Sequence, residues 1–550
     1  MKSNEFSLQG NIVDLVAKRI FPGTVTVEDG RIIEVREDNG SYENYIMPGL
    51  VDSHVHIESS MLPPAEFARL ATVHGTVAAV ADPHEIANVL GMEGVDFMLE
   101  SASGSPFYFH FGAPSCVPAT PFETAGAELN VEQVEELLSS GRCGFLSEMM
   151  NFPGVLVDDP LVTSKLEVAK RLGKVVDGHA PGLMGEEVQR YVAAGISTDH
   201  ECRDLAEALG KISRGMKILI REGSAARDFD ALAPLIEENF KMLMFCSDDK
   251  HPDDLIRGHI NVLVARAIGM GLDPLNVLHC ACLAPVIHYG LDLGLLQQGD
   301  RADFIVVESL SSMRVLQTYV GGCCCAEDGK PLLERVTSSV VNRFAARKIQ
   351  EHELRVQSEY GALRVMEAVD GQLLTLDLRL APTVVQDEVV ADPERDILKL
   401  VVVNRYQSSP PAVAFIRGFG LQHGAIASSV AHDSHNIVAV GVTDSDLCQA
   451  VNAIIEEQGG ICAIGPDFTE LLSLPIAGLM ATQDGYQVAQ KYTAVDARAK
   501  ELGAPLDAPF MTLSFMALLV IPHLKLSDQG LFDGNIFRFV ELFDGESLES

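Results

Sequence analysis

Between residue 47 and about residue 290 the chain repeats one pattern, a short, almost wholly apolar run followed by an amphipathic stretch with helical spacing. The apolar runs fall at residues 47–57, 76–81, 107–111, 143–147, 174–177, 196–199, 216–221 and 242–247. Runs of this kind are buried on both faces, as the strands of a parallel sheet are, and the amphipathic stretches between them supply the crossover helices. Eight such units in about 250 residues are what a (β/α)8 barrel requires. The expected fold class is therefore α/β, with a TIM-like barrel over residues 47–295.

The pattern changes on both sides of this region. Residues 11–46 alternate as short strands, with Glu28-Asp29-Gly30 as a hairpin turn between strands at 24–27 and 31–35. Similar strands are expected after the barrel, at 299–307, 315–320 and 336–341. The two pieces, 1–46 and 296–345, should pair into one small flanking β-sandwich domain. From about residue 353 strands at 398–403, 412–416, 437–442 and 460–464 and a helix at 444–457 predict a separate C-terminal α/β domain, 353–550.

Composition narrows the function classes. With 77 acidic against 41 basic residues, the formal charge of -36 repels phosphate backbones and anionic surfaces, so neither nucleic acid nor a membrane is an expected partner. The first ten residues lack the basic start and apolar middle of a signal peptide, and no apolar run approaches a membrane span. Eleven cysteines, three of them adjacent at Cys323, Cys324 and Cys325, suit a reducing compartment better than a disulfide framework. A cytoplasmic chain is expected, as a homo-oligomer, dimer or larger.

The chemistry sits where the apolar runs end. In Pro48-Gly-Leu-Val-Asp-Ser-His54-Val-His56 the two histidines share one face of a strand and can grip one cation from a rigid element. Later runs end in Asp82-Pro83-His84-Glu85, Glu148, His179, Asp199-His200-Glu201 and Asp248-Asp249. Barrel enzymes keep their active sites at the C-terminal ends of the strands. Imidazoles with carboxylates suit Zn, Mn or Fe(II), and no Cys-x-x-Cys pair offers a thiolate site. The candidate ligands are His54 and His56 for one ion and His179 and His200 for another. Glu148 is the candidate bridge between the ions. Asp248 is both a ligand and the group that takes a proton from a hydroxide held between them.

These blocks resemble the amidohydrolase superfamily, and more narrowly its bacterial adenine deaminases. The resemblance is carried by Pro48–His56 and Gly299-Asp-Arg-Ala-Asp303, then by His54-Val-His-Ile-Glu-Ser-Ser-Met61, Asp82-Pro-His-Glu-Ile-Ala-Asn-Val89 and Asp177-Gly-His-Ala-Pro181. Thr198-Asp-His-Glu201, Ser247-Asp-Asp249 and Val430-Ala-His-Asp-Ser-His-Asn436 extend it over nearly the whole chain. It implies hydrolysis of adenine to hypoxanthine and ammonia on two divalent ions, Mn(II) or Fe(II), with Zn(II) as an alternative. Glu148 would stand where many relatives carry a carbamylated lysine. Glu85 is the candidate proton donor to a ring nitrogen. His84, Arg221 and Ser224 are candidates for contacting the substrate; His84 could instead bind a further metal, and Arg221 could simply support loops. His432, Asp433 and His435 either close the pocket from the C-terminal domain or form an Asx-stabilised turn.

Two rival readings stay open at this stage. Another amidohydrolase, acting on a cyclic amide or an N-acetyl sugar, would need a cation for an anionic substrate, and Arg221 is the clearest candidate. An inactive barrel serving as a scaffold should have lost ligands, yet all six are intact.

Overall fold

The computed structural model describes residues 5–545. Eight parallel strands form the barrel: Leu50–Val55, Thr76–Ala81, Tyr108–Ala113, Phe145–Met149, Val176–Gly178, Thr198–Asp199, Lys217–Arg221 and Leu243–Cys246. The first five make one hydrogen-bonded ladder and the last three another. Two sets of hydrogen bonds join the ladders. The Ser197 amide donates to the Val176 carbonyl at 3.0 Å, and on the other side the Asp248 amide donates to the His54 carbonyl at 3.0 Å. At this second seam Asp52, on the first strand, accepts from the Ser247 amide at 3.0 Å and lies 2.9 Å from His259 Nε2. A buried network thus fixes the register between the strands that carry the first and the last candidate ligands.

The strands are buried over most of their length because helices cover the outside and packed side chains fill the inside. Residues 76–81, Thr-Val-Ala-Ala-Val-Ala, are buried at every position. The fourth strand begins two residues later than the apolar run suggested, so Glu148 lies within it and not after it.

Both ends of the barrel feed one eight-stranded sheet. Phe304–Val307 pairs antiparallel with Tyr45–Pro48, which pairs parallel with Glu5–Asp14. Val315–Val320 joins this sheet, but residues 336–341, expected as a strand, form none. That segment is an extended connector whose valines 336 and 340 are exposed, and Val341 accepts one backbone hydrogen bond from Ala477. Its apolar residues face no second strand, so no ladder forms.

The C-terminal sheet also has eight strands, with Leu398–Val403 and Ile437–Gly441 at its centre. The helix Asp444–Glu457, capped by Thr443, packs Leu447, Val451 and Ile454 onto one face. The other face shares a continuous core with the barrel, through residues such as Leu400, Ile426 and Val438. This places the loop 430–436 over the C-terminal end of the barrel, where the His432 amide donates to the Ser514 carbonyl at 3.1 Å. No described helix is long and apolar enough to cross a membrane.

Candidate active site

Glu148 is the hub of the site. Its Oε1 lies 3.1 Å from His56 Nε2 and 3.8 Å from His54 Nε2. Its Oε2 lies 2.9 Å from His179 Nδ1 and 3.3 Å from His200 Nε2. One carboxylate therefore faces two imidazole pairs, one pair on each oxygen. Asp248 completes the first group, with Oδ1 3.5 Å from His54 Nε2 and 3.2 Å from His56 Nε2. The structure brings all six candidate ligands together, each at most 4% exposed.

Asp248 holds a left-handed backbone with φ of 53°, which costs a non-glycine residue on the order of 1–3 kcal/mol. Its amide and carbonyl are both bonded to the first strand, at His54 and His56, and these bonds stabilise the turn that aims its carboxylate inward.

The donor set fits divalent cations. His54 Nε2 and His56 Nε2 approach to 3.2 Å, and His179 Nε2 is buried without a hydrogen-bond partner. Convergent imidazole nitrogens and carboxylates of this kind form several groups, among them His54, His56 and Asp248, and His179, His200 and Glu201. Nitrogen and oxygen donors of intermediate hardness suit Mn, Fe(II) and Zn.

Charge is strongly redistributed inside this cluster. Burial would raise the Glu148 carboxyl, yet the imidazoles of His200, His179 and His56 hold it well below the usual carboxylate range. Asp248 behaves alike: burial is outweighed by hydrogen bonds from His54 and His56 and by the charges of His200 and Arg221. Burial would lower His200, but Glu148, Asp248 and Glu201 push it up to about 9.

Around the hub lie residues that the sequence marked only in part. His84 faces the cavity, with Nδ1 3.0 Å from Asp82 Oδ2 and 3.7 Å from Glu148 Oε1. Glu85 is gripped from the C-terminal domain: His432 Nδ1 meets its Oε1 and His435 Nε2 meets its Oε2. His432 and Asp433 line the cavity, so loop 430–436 closes the pocket.

Two candidates for substrate contact are engaged elsewhere. Arg221 donates to Asp248 at 2.9 Å, to Asp228 at 3.1 Å and to both oxygens of Glu201, so its guanidinium is taken up by three carboxylates. Ser224 is not brought to the cavity at the hub; its Oγ donates to Asp254 at 2.6 Å and accepts from the His251 amide at 2.9 Å.

Sequence reasoning gave Glu201 no role beyond its place at a strand end, and it missed Lys211. Glu201 lies 3.5 Å from His200 Nε2 and lines the cavity; its place directly after His200 was the available signal. Lys211 is fully buried and donates to Asp199 at 2.8 Å, to Glu207 at 2.7 Å and to the Ala180 carbonyl at 2.6 Å. Asp199 in turn accepts from the Ala180 amide at 2.8 Å. This network ties the residue after His179 to the residue before His200.

Comparison with known proteins agrees with this architecture. A model of the amidohydrolase family matches residues 45–325, and a model of the adenine deaminase C-terminal domain matches residues 372–538. An adenine deaminase of Salinibacter ruber is 55% identical over 98% of this chain and 99% of its own length. Adenine deaminases of Methanosarcina mazei and Borreliella burgdorferi are 52% and 43% identical, again over 98% of this chain and 99% of theirs. Alike from end to end in sequence and carrying a buried imidazole and carboxylate cluster at the strand ends, the chain belongs to the adenine deaminases of the amidohydrolase family.

Proposed function

We propose that this cluster hydrolyses adenine, water adding at C6 and ammonia leaving, to give hypoxanthine. The chain is a metal-dependent aminohydrolase acting on the C–N bond of a cyclic amidine. The observation that carries this is Glu148, one carboxylate shared by two imidazole pairs in a chain whose full-length relatives are adenine deaminases. Two divalent ions bound there would supply Lewis acidity and lower the pKa of a water molecule. His54, His56, Glu148, His179, His200 and Asp248 would hold them. Mn(II) or Fe(II) is the proposed pair, with Zn(II) as the alternative, since the donors are imidazole nitrogen and carboxylate oxygen.

Asp248, ionised and facing the cavity, takes the proton released as water adds and passes it to the departing amine. Glu85 is proposed to deliver a proton to the ring nitrogen that gains charge. It does not hold that proton alone. Burial would raise its carboxyl, but His432 and His435 keep it well below the carboxylate range, while His432, lowered by burial, is pushed up to about 9 by Glu85 and Asp249. The proton rests on His432 and reaches the ring through Glu85. Arg221 orients Asp248 and Glu201. Purified chain loaded with Mn(II) should release hypoxanthine and ammonia in equal amounts from adenine; metal binding without deamination would sink the substrate reading.

A cytoplasmic chain that assembles as a dimer or larger is proposed with it. Sedimentation of the purified chain tests the assembly.

A further inference from the structure

The cavity at the hub measures about 20 Å³, room for a hydroxide-sized group and not for a bicyclic ring. A second cavity of about 270 Å³ adjoins it, between the loop after the seventh strand and residues 371–374. The two share Glu201 and Leu373 as walls. The larger one approaches the size of small-molecule sites. Apolar Leu373, Leu374 and Ile521 share its lining with Glu201, Asp228 and three arginines, of which Arg221 is taken up by the two carboxylates. Both oxygens of Glu201 accept from Arg221, yet each carboxylate oxygen has a second lone pair to offer.

We propose that this second cavity is the docking chamber for the purine ring, which lies on the apolar wall, gives a ring N–H to Glu201 and turns its C6 edge past Leu373 toward the hub. The ligand class is a neutral, planar heteroaromatic base with an N–H donor on its edge. Apolar contact supplies affinity and the buried Glu201 carboxylate fixes orientation. The inference rests on the reading of adenine as substrate and adds where the ring sits.

The chain contains no tryptophan, and Gln372 is an exposed residue on the chamber wall. Gln372→Trp therefore introduces a sole indole at the proposed site. Hypoxanthine, which does not turn over, is titrated into the Mn(II)-loaded full-length variant. The expected result is saturable quenching of the emission, lost when Ala226→Phe, a second wall residue, is added to fill the chamber. Ala226→Phe alone should lower kcat/KM for adenine at least tenfold with metal content unchanged. An emission insensitive to millimolar hypoxanthine, or full kcat/KM in a folded Ala226→Phe variant, overturns the proposal. Should wild type fail to deaminate adenine, the substrate reading falls, and quenching by the purine still decides the chamber.

Discussion

Replacing Lys211 by methionine removes the cation that Asp199 and Glu207 share inside the protein. Methionine fills similar space but leaves two buried carboxylates without it, a change that costs about 3–5 kcal/mol when one member of a buried pair is lost. The sign with pH follows from Asp199. Burial would raise its carboxyl and Lys211 outweighs that, so its folded pKa is depressed. Its contribution is present above the ordinary carboxylate range and lost only in strong acid. In Lys211→Met burial is left without that counterweight and raises the Asp199 carboxyl, so the defect should be full at pH 7 and shrink toward pH 4 as the carboxyl protonates in the folded variant. Chemical unfolding of wild type, Lys211→Met, Asp199→Asn and the double variant gives the coupling, expected near the upper end of about 0.5–3 kcal/mol. Because the network joins the neighbours of His179 and His200, metal affinity should also fall by about 10- to 100-fold. A variant within about 0.5 kcal/mol of wild type, with unchanged metal affinity, would refute the claim that this network positions the imidazoles.

Other consequences are open to direct measurement. Asp248→Asn should lower kcat by roughly 10²–10⁴, the range for losing a positioned proton carrier, as read from steady-state hypoxanthine formation. In the metal-free chain His200 holds a proton up to about pH 9, so binding must displace it. The apparent metal association constant should climb by up to about tenfold per pH unit between pH 7 and 9, and calorimetry in buffers of different ionisation enthalpy should register the released proton. If Glu85 and His432 move one proton as a unit, Glu85→Gln and His432→Asn should each cut kcat by a similar factor, and the double variant should lose little more; multiplicative losses would separate them.

The barrel and its ligands were legible because both depend on local pattern. Eight apolar runs of strand length mark the strands, and His or acidic residues at their ends are visible without knowing what packs against what. The six ligands come from five different segments, yet barrel closure gathers strand ends by construction. What depends on tertiary pairing was not legible. The valines at 336 and 340 read as a strand, but whether an apolar run finds a partner edge is decided elsewhere in the chain. Glu207 and Lys211 stand four apart on a helix, a spacing that solvated ion pairs share, and only the fold shows this pair buried against Ala180 and Asp199. Arg221 and Ser224 end or follow a strand as ligands do, and nothing local distinguishes a side chain facing the cavity from one spent on Asp228 or Asp254. His432 and His435 stand nearly 350 residues from Glu85, a contact that no spacing rule anticipates.

The central claim is that one carboxylate joins two cation sites and that both serve deamination of adenine. Metal-free chain titrated with Mn(II), with bound metal and hypoxanthine formation followed together, tests it most directly. Activity should rise to a plateau at two equivalents in wild type, and Glu148→Gln should bind fewer than two ions and show no such plateau. Full turnover at one equivalent, or full turnover in Glu148→Gln, would contradict the account.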